Sequence, residues 1–167
     1  HHVTQPCFNY VALSTGDGTD LSAALDSAVT LVDAVLAAPE NKYIATEWSA
    51  VVILLTDALD TVDEQKVRKT VAQIGIKRAA LESGRIDVGC VGIGTDVKEA
   101  LLVEIASKPT SETKQMLAKK GLDNRLLRRN AQVGEQCLAI KVDTNDSSYP
   151  DVIRSFVDIL SHSTHNS

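Results

Sequence analysis

Ser49-Ala50-Val51-Val52-Ile53-Leu54-Leu55-Thr56-Asp57-Ala58-Leu59-Asp60 is the stretch on which the fold turns. Residues 51–55 are apolar without alternation, the pattern of a strand covered on both faces of a parallel sheet. The run ends abruptly in a carboxylate. In open parallel sheets, ligands bind beyond the carboxyl ends of the strands, beside a switch in strand order. Asp57 falls at such a place and is a site candidate. The alternative is that it caps a turn or the following helix, and placement alone leaves both open.

On the amino-terminal side, residues 8–14 read as a first strand, followed by the turn Thr15-Gly16-Asp17-Gly18. Residues 19–38 then read as a helix, because Leu21, Ala24, Leu25, Ala28, Val32 and Val35 recur at helical spacing. Pro39-Glu40-Asn41 stops it. On the carboxyl-terminal side, Thr61-Val62-Asp63-Glu64 is a capping-box pattern. Its helix runs towards Glu82 with Val67, Val71 and Ile74 on one face, and Gly75 is a point of bending or breakage. Residues 85–93 are the next strand, and their glycines lack the order of a dinucleotide-binding turn. Asp96-Val97-Lys98-Glu99 is a second capping box, for a helix to about residue 107 that Pro109 closes. Residues 136–142 are the last strand and residues 151–161 the last helix. Pro150 sits in its first turn, and Val152, Ile153, Phe156, Val157 and Leu160 face inward. Strands and helices alternate throughout. That order predicts an α/β fold: a doubly wound, mostly parallel sheet with helices on both faces. One domain is expected over residues 3–161, with a tail at 162–167.

The bulk composition bounds the function. A chain of 167 residues is the size of one ordinary domain, and 44% hydrophobic residues suffice for a core. A net charge of −5 gives no reason to expect nucleic acid or an acidic membrane as the main partner. No apolar run approaches the ~20 residues needed to span a bilayer. No signal peptide is read, and His1-His2 resembles the end of a purification tag and is set aside. Cys7, Cys90 and Cys137 show no metal-ligand spacing. Cys90, inside an apolar strand, reads as a core residue. Cys7 and Cys137 each start a predicted strand, and could pair in an oxidising compartment. Between residues 112 and 129, Lys114, Lys119, Lys120, Arg125, Arg128 and Arg129 outweigh Glu112 and Asp123, with Leu117, Leu122, Leu126 and Leu127 interleaved. This segment is either a partner-binding patch or a solvated helical excursion.

Thr19 follows the first predicted strand and Asp57 the second, so a parallel sheet places both at its carboxyl edge. With Asp17, Asp20 and Asp60 they form a cluster of hard oxygens, which suits Mg²⁺, Mn²⁺ or Ca²⁺. In the plainer alternative Thr19 is an N-cap and Asp20 favours the helix dipole. Enzyme chemistry has little support. All four histidines, His1, His2, His162 and His165, are terminal, and no Ser/His/Asp set is spaced for nucleophilic catalysis. Gly16-Asp17-Gly18 lacks the Gly-Lys-Ser/Thr ending of a P-loop. Mg²⁺-dependent phosphoryl chemistry lacks a nucleophile and a basic clamp. The chain is not expected to be an enzyme.

Gly18-Thr19-Asp20-Leu21, with Ala23-Ala24-Leu25 behind it, resembles the threonine loop of von Willebrand factor A domains. Val51-Val52-Ile53-Leu54-Leu55-Thr56-Asp57 resembles their central strand ending in Thr-Asp-Gly, with Ala58 in place of Gly. Val91-Gly92-Ile93-Gly94, followed by Leu101-Leu102 and Ile105-Ala106-Ser107-Lys108-Pro109, resembles the next strand and helix. Ala139-Ile140-Lys141-Val142-Asp143 and residues 152–160 fit the last strand and helix. The resemblance spans residues 8–160. It implies a doubly wound domain that binds protein ligands through a metal-ion-dependent adhesion site. Such a site holds Mg²⁺ or Mn²⁺ and takes a carboxylate from the partner. On that match Thr19 is a direct ligand, and Asp57 acts directly or through water. Asp17, Asp20 and Asp60 belong to the ligand-contact loops.

The family's first strand ends in Asp-x-Ser-x-Ser, which supplies the other three ligands, and no such motif precedes Thr19. Three explanations stand: a fragment, a trimmed metal-free domain, or a strand supplied by another chain. A fourth takes Asp143-Thr144-Asn145-Asp146-Ser147 as a variant first motif in a permuted domain, although chain order puts it after the last strand. Without the first strand the edge of residues 51–55 lies open. Apolar edges invite pairing, so strand exchange or a homo-oligomer is expected. The expected function is a protein-binding adhesion or assembly module. Family habit and the sequon Asn145-Asp146-Ser147 lean towards an extracellular or cell-surface location. The alternatives are a metal-free structural scaffold acting through its helices or residues 112–129, and a Mg²⁺-dependent enzyme on a similar sheet.

Overall fold

The structure, a computed structural model, describes residues 20–37, 48–57, 63–79, 84–95, 97–130 and 134–163. In chain order they form α1 (Leu21–Ala37), β1 (Trp48–Thr56), α2 (Glu64–Ala79), β2 (Gly84–Ile93), α3 (Glu99–Ile105), α4 (Ser111–Lys119), β3 (Ala139–Val142) and α5 (Tyr149–Ser163). The strands pair in parallel in the order β1-β2-β3, with Trp48 opposite Gly84 and Cys90 opposite Ala139. The fold is therefore α/β around a parallel sheet. The predicted strand at residues 8–14 lies outside the described residues.

Why helices seat on this sheet is legible in β2. Gly89 and Gly92, three residues apart, belong to opposite faces of the strand. A Cβ at Gly89 would lie 2.6 Å from Leu160 Cδ1 and 3.8 Å from Phe156 Cε1 of α5. A Cβ at Gly92 would lie 2.7 Å from Leu102 Cδ1 of α3 and 2.7 Å from Val97 Cγ1. The in-strand glycines thus let α5 and α3 approach opposite faces of β2. The two crossovers, β1 to β2 and β2 to β3, step the same way across the sheet. Right-handed connections then place α2 in the layer of α3. Arg68 bridges Glu64 (3.2 Å) and Glu104 of α3 (3.1 Å), and Lys98 reaches Glu64 at 3.1 Å. Being solvent-exposed, these pairs orient the two helices more than they stabilise them.

Below the helices the chain is stitched by Ser107. Its Oγ accepts from the Val88 N–H (2.8 Å), its own N–H donates to Val88 O, and its carbonyl accepts from the Leu138 N–H (2.8 Å). The core includes Val88, Cys90 and Val91 of β2, Ile140 and Val142 of β3, Leu102 of α3, Leu117 of α4 and Phe156 of α5, all at most 2% exposed. Burial pushes the Cys90 thiol up to about 12, so it is an inert core residue, as its setting in the sequence predicted. Cys137 is buried too, and Cys7 lies outside the described residues.

Several local expectations are corrected. Residues 51–55 are not covered on both faces: residues 51–54 are half-buried and Leu55 is 51% exposed. Among the described residues β1 has a strand neighbour on one side only, and α5, seated at Gly89 of the next strand, leaves Leu55 uncovered. α1 begins at Leu21, two residues later than the spacing suggested. α2 is capped by Asp63, whose Oδ1 accepts from the N–H groups of Gln65 (3.1 Å) and Lys66 (3.2 Å), and Gly75 does not interrupt it. Glu64, expected to complete a capping box with Thr61, which lies outside the described residues, bonds to Arg68 and Lys98. α3 starts from Lys98 without a side-chain cap. β3 is shorter than predicted, because residues 136–138 are engaged by other partners, Leu127 and Ser107 among them.

Candidate functional site

β1 carries the chain from the buried Thr56 to the exposed Asp57 at the carboxyl end of the sheet. Asp57 forms no hydrogen bond or ion pair among the described residues. At the start of α1, Asp20 is exposed. Its Oδ1 accepts from the Ala23 N–H (3.0 Å) and from Ser22 Oγ (2.8 Å). The Ala23 N–H above all holds its carboxyl below the ordinary 3.8, and Lys66 in the first turn of α2 adds to the effect. α1 packs against α2, and its Asp20 lies within electrostatic reach of Lys66. Since α2 follows β1 closely, Asp20 and Asp57 lie at the same edge.

Of the predicted site residues the structure describes Asp20 and Asp57. Thr19, Asp17 and Asp60 lie outside the described residues. Asp20 performs the capping role that the sequence offered to Thr19. Among the described residues no group of three or more His, Cys, Asp or Glu side chains could hold a metal ion. Asp57 offers a hard oxygen suited to Mg²⁺ or Mn²⁺, but Asp20 already spends one oxygen on its helix. The described donors alone do not complete a divalent-ion site.

Farther along the same edge, Gly94 turns with φ +108° and its N–H donates to Val142 O at 2.9 Å. Beyond β3, the Asp143 carboxylate accepts from the Asn145 N–H (2.9 Å). Asp146 accepts from the N–H (2.9 Å) and Oγ (2.7 Å) of Ser148. The residues weighed as a variant metal motif are thus the turns that lead into α5.

A second surface lies on residues 112–129, the segment that the sequence offered as either a partner-binding patch or a solvated helical excursion. Residues 112–129 are only half helical. α4 is amphipathic, with Thr110 capping it and Leu117 fully buried. Beyond a 3₁₀ turn (Asp123–Arg125), the chain extends and pairs antiparallel with residues 135–139. The Leu127 N–H donates to Ala139 O (2.8 Å), the Cys137 N–H to Leu127 O (2.9 Å) and the Arg129 N–H to Glu135 O (3.1 Å). A groove of about 370 Å³ opens between this segment and α3. Of the basic and apolar run that signalled this segment, Leu126-Leu127-Arg128-Arg129 is the part that lines the groove.

The sequence matches no protein-family model and no curated protein.

Proposed function

We propose that the chain is a protein-binding module of the von Willebrand factor A type, doubly wound, which contacts its ligand at the carboxyl edge of the sheet. The observation that carries this reading is Asp57: an exposed carboxylate without a partner among the described residues, at the end of a parallel strand. Asp20 at the same edge supports it. In the finer form of the proposal, Thr19 and Asp57 hold Mg²⁺ or Mn²⁺, and a carboxylate of the protein ligand completes the coordination. The remaining donors come from outside the described residues. The module carries no catalysis, and its location is extracellular or at the cell surface.

Thermal unfolding of the wild type and of Asp57→Ala, in EDTA and then in Mg²⁺, Mn²⁺ or Ca²⁺, tests the metal site. A ligand that binds only the folded state at a hundred times its Kd adds about 2.7 kcal/mol. The expected result is a higher Tm in Mg²⁺ or Mn²⁺ for the wild type and no shift for Asp57→Ala. An unchanged Tm in every metal removes the metal from the proposal.

A further inference from the structure

The groove beside α3 has a chemistry of its own. Val103 and Leu126, each 5% exposed, form an apolar floor, and Ala100 stands at the lip. Arg128 and Arg129 form an exposed rim. The carboxylates nearby are already matched: Glu99 to Lys141 (3.4 Å) and Glu135 to Lys108 (2.7 Å). Neither arginine forms a close ion pair among the described residues, although, beside Lys108, Arg129 lies near enough to Glu135 to help hold its carboxyl down. Arg128 spends one guanidinium nitrogen on Gly134 O (2.9 Å), which holds it against the extended segment. A chain of net charge −5 thus keeps two exposed guanidiniums, neither in a close ion pair among the described residues, above an apolar floor.

The backbone specifies the shape of the occupant. Arg128 is the non-hydrogen-bonded partner of Gln136 in an antiparallel bridge. Its own N–H and C=O are therefore directed away from residues 135–139, and they have no backbone partner among the described residues. We infer that this groove binds a short, extended, acidic peptide segment of a partner protein. The peptide pairs its main chain with Arg128, sets carboxylates on Arg128 and Arg129, and lays an apolar side chain against Val103 and Leu126.

The test is fluorescence anisotropy with a fluorescein-labelled peptide of alternating Glu and Val, in EDTA, on the full chain. Saturable binding is expected, weakened about tenfold by Arg129→Glu, by Ala100→Glu and by replacing the peptide's Glu with Gln. Both protein substitutions are at exposed positions, and circular dichroism checks their folding. In ¹⁵N spectra the Arg128 amide shifts as peptide is added. Binding is the same in Asp57→Ala, which separates this site from the carboxyl edge. The inference fails if no peptide binds, if both variants bind as the wild type does, or if the Arg128 amide stays unmoved at saturation. It also fails if Asp57→Ala abolishes binding. A single-stranded oligonucleotide that binds as tightly and with the same dependence on Arg129 would make the groove a polyanion surface instead.

Discussion

Asp146 shows what one side chain does here. Its carboxylate, held by the N–H and Oγ of Ser148, fixes the turn from which α5 starts, and those bonds keep its carboxyl below the ordinary 3.8. Asp20 is depressed in the same way by Ala23 and Ser22. A group whose folded pKa lies below its unfolded value stabilises the fold fully above the unfolded value. That contribution disappears as pH falls through the folded value. The acid limb of the stability profile therefore lies below about pH 4. Asp146→Asn should lower the urea midpoint at pH 7, and the gap from the wild type should narrow towards about pH 3. A gap that stays constant with pH would mean that the charge of Asp146 contributes nothing. At α4 the cap is neutral: Thr110 Oγ1 accepts from the Thr113 N–H at 3.1 Å. Thr110→Ala should cost about 1 kcal/mol, independent of pH, in the same urea titrations.

β2 carries the tightest element contacts, and its two glycines should not respond alike to a methyl group. At Gly89 the new Cβ meets the tip of Leu160, which can rotate away. At Gly92 it meets both Leu102 Cδ1 and Val97 Cγ1, and a β-branched valine has little freedom at χ1. Overpacking of this kind costs about 1–3 kcal/mol, so Gly89→Ala should fall near the lower end and Gly92→Ala near the upper, read from equilibrium unfolding. Equal costs would mean that α3 gives way as easily as α5. The same strand shows what the sequence could and could not disclose. The apolar runs of β1 and β2 and the periodicity of α1 and α5 were legible, because burial imposes them directly. The ends of elements were not. Asp63 caps α2, although several hydroxyls and carboxylates near a helix start can compete for the same N–H groups. The extended half of residues 112–129 was hidden because its partners, residues 135–139, are distant enough to leave no periodic trace. At the site, Asp57 could be placed by the strand before it, whereas Asp20's engagement with its own helix is visible only in three dimensions.

On the scale of the whole molecule, the sheet is unevenly covered. β2 is enclosed by neighbours on both sides and by helices on both faces, and its Cys90 and Val91 are fully buried. β1 is different. Its register puts Ile53 opposite Gly89, so Val51, Ile53 and Leu55 share the face on which α5 sits. α5 closes over β2 but leaves Leu55 half in solvent. The second edge of β1 has no strand partner among the described residues. Trp48-Ser49-Ala50-Val51-Val52-Ile53-Leu54-Leu55-Thr56 contains no charge, proline or glycine, the devices by which natural edge strands resist pairing. An apolar edge beside an exposed leucine favours association with a second chain. Sedimentation velocity of the wild type should show a mean mass that rises with concentration. Leu55→Lys should suppress that rise at little cost in stability, because half of the side chain already faces water. A wild type that stays monomeric at high concentration would mean that residues beyond the described ones already cover this strand. Association that survives Leu55→Lys would place the contact on another surface of the molecule.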